Sequence, residues 1–276
     1  MEQFDRCLSQ ASFAAPEVLS VDSAWIEHAP FAFWIVEQHR PDVLVELGTH
    51  TGYSYLCFCQ QVRKSNLATR CFAVDTWLGD AHAKFYSEDV FSVLSRYHDP
   101  RYGQFSQLIR STFEEAVGQF ADASIDLLHL DGRHFYDDVR QDFETWRPKL
   151  SPRAIVLFHD TQVRERDFGV YRFWREISSG LPHFEFKHGF GLGVLGFGAA
   201  SAELPLFSAA NDAAAAQAIS DVYARLGSTY SLAAEVTRLR AEVDRLKRQL
   251  AAPAGAVSYQ LNWPPAGVNP PRDQGR

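Results

Sequence analysis

The stretch Val43-Leu44-Val45-Glu46-Leu47-Gly48-Thr49-His50-Thr51-Gly52-Tyr53-Ser54 constrains the fold of this chain more than any other. Four of its first five residues are apolar and two are β-branched, which predicts a short strand buried within a sheet. Gly48 ends the strand where the chain turns and something approaches the backbone, and Gly52 lets the next helix, 53–62, start close to the sheet. A turn of this kind offers free N–H groups, and ligands of open α/β sheets sit beyond the carboxyl ends of the strands. The spacing is Glu-x-Gly-x-x-x-Gly, not Gly-x-Gly-x-x-Gly. A carboxylate at Glu46 would repel a pyrophosphate and suits a cationic or amino-bearing ligand.

The rest of the chain repeats the strand–helix alternation. A helix over 24–38, capped by Asp22 or Ser23 and closed before Pro41, precedes the first strand. Further strands are predicted at 70–74, 107–110, 125–130 and 154–158, and a closing hairpin at 184–186 and 192–197 around Gly189-Phe190-Gly191. Helices follow at 135–146, with an apolar stripe of Phe135, Val139, Phe143 and Trp146, and at 168–178. Ser111 either caps the short helix after the third strand or touches an adenine. Residues 76–103, polar, aromatic and broken by Pro100, read as a long insertion of the lid or binding-loop kind. Within it Phe85, Tyr86, Phe91 and Tyr97 either stack on a sugar or pack the lid. The expected fold is α/β: a Rossmann-like, mostly parallel sheet of seven strands with helices on both faces, plus a C-terminal helix and coiled coil.

Composition narrows the function classes. A net charge of −7 gives no reason to expect nucleic acid or an anionic membrane as partner. Four cysteines at 7, 57, 59 and 71 follow no metal or disulfide spacing, no apolar run approaches a membrane span, and the N-terminus is acidic. A soluble cytoplasmic protein is expected.

The Glu46-x-Gly48-x-x-x-Gly52 turn resembles the first motif of class I S-adenosylmethionine (SAM)-dependent methyltransferases. Asp75, at the end of the second strand, is placed to accept from both ribose hydroxyls of an adenosine. The resemblance makes Glu46, Gly48, Thr49, Gly52, Tyr53, Ser54, Asp75, Thr76, Ser111 and Asp131 the cofactor-side residues. Leu128-His129-Leu130-Asp131-Gly132-Arg133-His134 and Phe158-His159-Asp160-Thr161 look like the divalent-metal-dependent O-methyltransferases, particularly the branch acting on sugars and glycosylated natural products. That resemblance covers about residues 24–198 and implies Asp131 and Asp160 as ligands of Mg²⁺ or another divalent metal. His159 departs from it, since the branch often carries an acidic residue there. Imidazole suits Zn²⁺ or Mn²⁺ better than Mg²⁺, so either the metal has fewer protein ligands or His159 has another task. His134 is the candidate general base, and His129 reads as a satisfied core histidine.

From Leu232 the apolar residues Leu232, Val236, Leu239, Val243, Leu246 and Leu250 alternate steps of four and three. With valine at a, leucine at d, and Glu235 with Arg240 and Glu242 with Lys247 at g and e, this favours a parallel two-stranded coil. The domain plan is then an N-terminal cover segment at 1–23, a methyltransferase domain at 24–200, an alanine-rich helical linker at 201–230, a coil at 231–250 and a disordered tail at 251–276. The expected partners are a small-molecule or glycan acceptor, a second copy through the coil, or a glycosyltransferase.

Overall fold

The computed structural model describes residues 2–19, 23–80, 84–85 and 87–251. Seven strands form one sheet: β1 Val43–Leu47, β2 Arg70–Asp75, β3 Ser106–Arg110, β4 Ile125–Leu130, β5 Leu150–His159, β6 His183–Phe186 and β7 Leu192–Gly196. Their spatial order is β3-β2-β1-β4-β5-β7-β6, the first five parallel and β7 antiparallel to both of its neighbours. This is the Rossmann-like sheet that the alternation predicts. The strand order reverses between β1 and β4, so a crevice is expected beyond their carboxyl ends.

Six helices longer than one or two turns accompany the sheet: α1 Ala29–His39, α2 Tyr53–Lys64, α3 Asp89–Tyr102, α4 Tyr136–Trp146, α5 Val170–Ile177 and α6 Ala213–Ala251. One core layer sets Leu44, Leu127, Ile155 and Leu157 against Phe31 and Trp34 of α1 and Phe58 of α2. The other sets Val45, Leu128, Val156 and Phe158 against Val139 and Phe143 of α4 and Phe173 of α5. Side chains alternate across a sheet, so Glu46, His129 and His159 share the first face with Leu44, Leu127 and Leu157. Register pairs Glu46 with His129 and Leu130 with Phe158, which brings the residues following β4 level with the end of β5.

Several local expectations change. The helix before β1 opens as a single 3₁₀ turn, Ile26–His28, and α1 starts only at Ala29 because Pro30, which has no N–H to give, fits a first turn. Ser23 accepts from the Trp25 N–H instead of capping α1, and Asp22 lies outside the described residues. The expected insertion holds a 14-residue helix, α3, with Pro100 tolerated in its last turn. Phe91 packs on Trp77 at 4.9 Å, and Tyr97 lies under the Arg101 guanidinium at 3.9 Å. Both are packing; the side chains of Phe85 and Tyr86 lie outside the described residues.

Two compact units divide the chain, Met1–Thr237 and Arg238–Arg276. The first includes the segments expected as cover and linker. Tyr223 donates to the carbonyl of Cys7 at 2.9 Å, and Tyr230 to that of Ala14 at 2.7 Å. Asp212 accepts from the N–H groups of Ala214 and Ala215 and so starts α6 after a break in the alanine-rich stretch. Along α6, Leu232, Val236, Leu239, Val243, Leu246 and Leu250 are exposed. The expected disordered tail lies outside the described residues beyond its first residue, Ala251, which ends α6. No helix among the described residues is long and apolar enough to cross a membrane.

Candidate active site

A cavity of about 780 Å³ opens at the carboxyl ends of β1, β2, β4 and β5. One end is the glycine turn. Gly48 has φ +87°, and a Cβ there would stand 2.1 Å from the carbonyl oxygen of Asp131. Asp131 N–H in turn donates to the Leu47 carbonyl at 2.9 Å, so the β1 turn and the start of the β4 loop are pressed together. Gly52, also at φ +87°, starts α2.

Asp75 lines the cavity, and its carboxylate fastens the turn. Oδ2 accepts from the N–H groups of Thr49 and His50 at 2.8 and 2.9 Å, and Oδ1 from that of Trp77 at 2.7 Å. Two carboxylate oxygens offer about four acceptor sites, which leaves capacity for a ligand hydroxyl. Thr49, Tyr53, Ser54 and Thr76 also line the cavity. The Thr49 hydroxyl is buried without a hydrogen-bond partner among the described residues. Tyr53 donates to the Ile26 carbonyl at 3.4 Å, and the Thr76 hydroxyl accepts from the Leu78 N–H at 3.3 Å.

Two of the expected cofactor residues sit elsewhere. Glu46 is fully buried beneath the cavity, where Oε2 accepts from His129 Nδ1–H at 2.8 Å. Trp25 Nε1–H donates to His129 Nε2 at 3.0 Å, which fixes His129 as the satisfied core histidine expected, with its proton on Nδ1. Ser111 is spent on Glu115 at 3.2 Å, and the helix cap is the next residue, Thr112, which accepts from the Glu115 N–H. Thr112 and Phe113 line the cavity in its place.

Asp142 of α4 was not singled out by the sequence, and it lines the same end. Burial first, then the charges of Glu114 and Asp138, raise its carboxyl to about 7. The folded state thus holds a proton that the unfolded chain has lost, and stability falls as pH rises from about 4 to 7. Asp142→Asn is expected to remove that slope and to stabilise the protein by about 1–2 kcal/mol at pH 8. Denaturant unfolding at pH 5 and pH 8 checks it; an unchanged slope would mean that Asp142 ionises normally.

Asp131, His134, His159 and Asp160 line the cavity beside the turn. His134 Nε2 lies 2.9 Å from Asp160 Oδ2 and 3.6 Å from Asp131 Oδ1. His159 Nδ1 lies 3.3 Å from Asp131 Oδ1 and 3.5 Å from Asp160 Oδ2. Asp131, His134 and Asp160 each bring a ligand atom within 4.8 Å of the other two. His159 is buried, whereas His134 stacks on Phe168 at 4.5 Å and 12°.

Electrostatics bind the four together. Burial alone would raise Asp131, but His159 and the hydrogen bonds from both imidazoles hold it well below the usual carboxylate range. The same opposition leaves Asp160 at about 2. Burial disfavours charge on His134, yet its bonds to Asp131 and Asp160 raise it to about 9. His159 is raised well above its ordinary value, the two carboxylates again outweighing burial. Without a cation, the cluster is two carboxylates neutralised by two imidazolium groups.

Residues 45–161 match a family model described as a methyltransferase domain. A Sinorhizobium fredii (strain NBRC 101917 / NGR234) protein described as "Uncharacterized protein y4gI" is 51% identical over 199 residues, 72% of this chain and 22% of its own length. This chain therefore spans about a fifth of that curated relative. Among solved structures, a Staphylococcus aureus protein provisionally assigned as a caffeoyl-CoA O-methyltransferase superposes with a TM-score of 0.50 at 16% identity, covering 66% of this chain and 87% of that one. The O-methyltransferase TomG of Streptomyces achromogenes, in complex with SAM, gives 0.47 at 14% identity, covering 72% and 99%. The sheet order, the glycine turn and the family match thus agree for residues 45–161, which are similar to a methyltransferase domain on a Rossmann-like fold.

Proposed function

We propose that this chain transfers a methyl group from SAM to a hydroxyl oxygen, with a divalent cation at Asp131 and Asp160. The observation that carries the reading is one cavity lined by both the glycine turn and the His/Asp cluster. The partnerless Thr49 hydroxyl and the spare acceptor capacity of Asp75 suit an adenosine ligand. The carboxylates, joined by imidazole, suit a divalent cation.

Bound SAM supplies an electrophilic methyl group on a sulfonium sulfur. Held by the Gly48 turn and Asp75, it would offer that methyl group to the acceptor oxygen, whose proton the chain would have to take. His134, on the cavity wall, is the group to receive it. Despite burial, its bonds to the two carboxylates raise His134 to about 9, and a cation that shared their charge would lower it. This favours the metal-assisted reading over a metal-free enzyme that relies on His134 alone.

Calorimetry with full-length protein tests the proposal. One SAM per chain is expected, with affinity changed by divalent metal and the metal effect lost in Asp131→Ala. No heat with SAM overturns the transferase reading, and binding indifferent to metal selects the metal-free one. The resemblance of the 128–134 and 158–161 motifs supports a sugar or glycoconjugate acceptor, and a screen of sugar hydroxyls against catechols decides it.

The exposed α6 seam supports pairing with a second copy, because its g and e charges are self-complementary. Sedimentation of a chain ending at residue 231 is expected to give a monomer where the 276-residue chain gives a dimer. An unchanged oligomeric state removes the coil, and a full-length monomer leaves the seam to another partner such as a glycosyltransferase.

A further inference from the structure

We infer that His159 is a metal ligand through Nδ1, and that the site formed with Asp131 and Asp160 therefore takes an imidazole-accepting cation of the Mn²⁺, Fe²⁺ or Zn²⁺ kind in preference to Mg²⁺. The inference rests on the metal half of the function proposed above. Donors about 2.1 Å from a common ion stand about 3.0 Å apart in cis-octahedral and about 3.4 Å in tetrahedral geometry. The distances of 3.3 and 3.5 Å from His159 Nδ1 to the two carboxylate oxygens lie in or near that range. The distances from His134 Nε2, 3.6 and 2.9 Å, do as well, so spacing alone does not choose between the imidazoles.

The other ring nitrogen chooses. His159 Nε2 lies 3.2 Å from the carbonyl oxygen of Gly189, which can only accept, so Nε2 keeps its proton and Nδ1, which faces the two carboxylates, is the nitrogen that would give up its proton to an ion. A ligating histidine usually donates its second N–H in this way, which fixes both tautomer and ring plane. The carbonyl is itself fixed. Gly189 has φ +56°, a Cβ there would meet His28 Nε2 at 2.8 Å, and His28 donates to the same carbonyl at 3.0 Å. Buried, and packed edge-on against His28 at 5.6 Å, the His159 ring has one orientation. His134 stacks on Phe168 at the cavity wall. Hard Mg²⁺ gains little from imidazole, whereas the later divalent ions gain much.

Full-length protein stripped with chelator is titrated with Mn²⁺ and with Mg²⁺, and the Mn²⁺ complex is read by pulsed EPR for ¹⁴N coupling. Mn²⁺ is expected to bind at least tenfold tighter than Mg²⁺ and to show an imidazole nitrogen. That coupling persists in His134→Gln and disappears in His159→Asp, whose all-carboxylate site brings the two affinities within about threefold. Equal affinities, or no ¹⁴N coupling, in the wild type overturn the inference without any variant, as does coupling lost in His134→Gln. Failure to bind either cation also overturns it, while SAM calorimetry still decides the transferase reading separately.

Discussion

Gly48→Ala is expected to lower the thermal midpoint by about 10 °C and, on the function proposed above, to weaken SAM binding. Two costs add. A side chain at φ +87° is strained, by roughly 1–2 kcal/mol. The new Cβ would also lie 2.1 Å from the Asp131 carbonyl, a backbone atom that the Asp131 N–H bond to Leu47 keeps from retreating. Overpacking of that kind adds about 1–3 kcal/mol, and each kcal/mol shifts a domain of this size by about 2–4 °C. Two other glycines separate these costs. Gly180 has φ +88° and nothing within 4 Å of where a Cβ would stand, so Gly180→Ala reports strain alone; Gly118, with open space and no positive φ, should tolerate alanine freely. Melting curves for the three variants, with losses ranked Gly48, Gly180, Gly118, check this. A Gly48→Ala midpoint no lower than that of Gly180→Ala would mean that the approach to Asp131 costs nothing.

What the sequence revealed, and what it hid, follows from the range of the interactions. β1, β4 and β5 were legible because burial on both faces makes them runs of apolar residues, and α4 because Val139, Phe143 and Trp146 keep one stripe. The Gly48 turn and the aspartates at strand ends were legible as local patterns. The Glu46–His129 bond was not, since it depends on the register of two strands 83 residues apart in sequence. Nor was the role of Gly189. It read as a hairpin turn, and only folding brings its carbonyl to His28 and His159. Ser111 and Thr112 are equally good caps by type, and the choice is made by which hydroxyl reaches the Glu115 N–H. The N-terminal segment carries no periodicity, so its packing against Tyr223 and Tyr230 left no signal.

Asp160→Asn is expected to cost about 3–5 kcal/mol in metal-free protein near pH 6, the usual loss when one partner of a buried ion pair is removed. Asp160 has φ +61°, a conformation asparagine tolerates as well as aspartate, so the backbone is spared and the charge is what changes. Asp131 is then left to face two imidazoles that both depended on the pair. The pH dependence identifies the cause. Asp160 sits at about 2 in the folded protein, so its contribution is complete above the unfolded value near 4. His134 is raised to about 9, so its contribution is complete below about 6.5 and fades as pH rises through 9. The variant's deficit should therefore be largest between about pH 4 and 6.5 and shrink toward pH 9. In an assay of the proposed methyl transfer it should lose roughly 10²- to 10⁴-fold, because Asp160 holds His134, the proposed proton acceptor, at 2.9 Å, with no recovery on adding metal. Denaturant unfolding in chelator across that pH range tests the first part. A deficit independent of pH would point to lost packing rather than to lost ion pairing within the cluster.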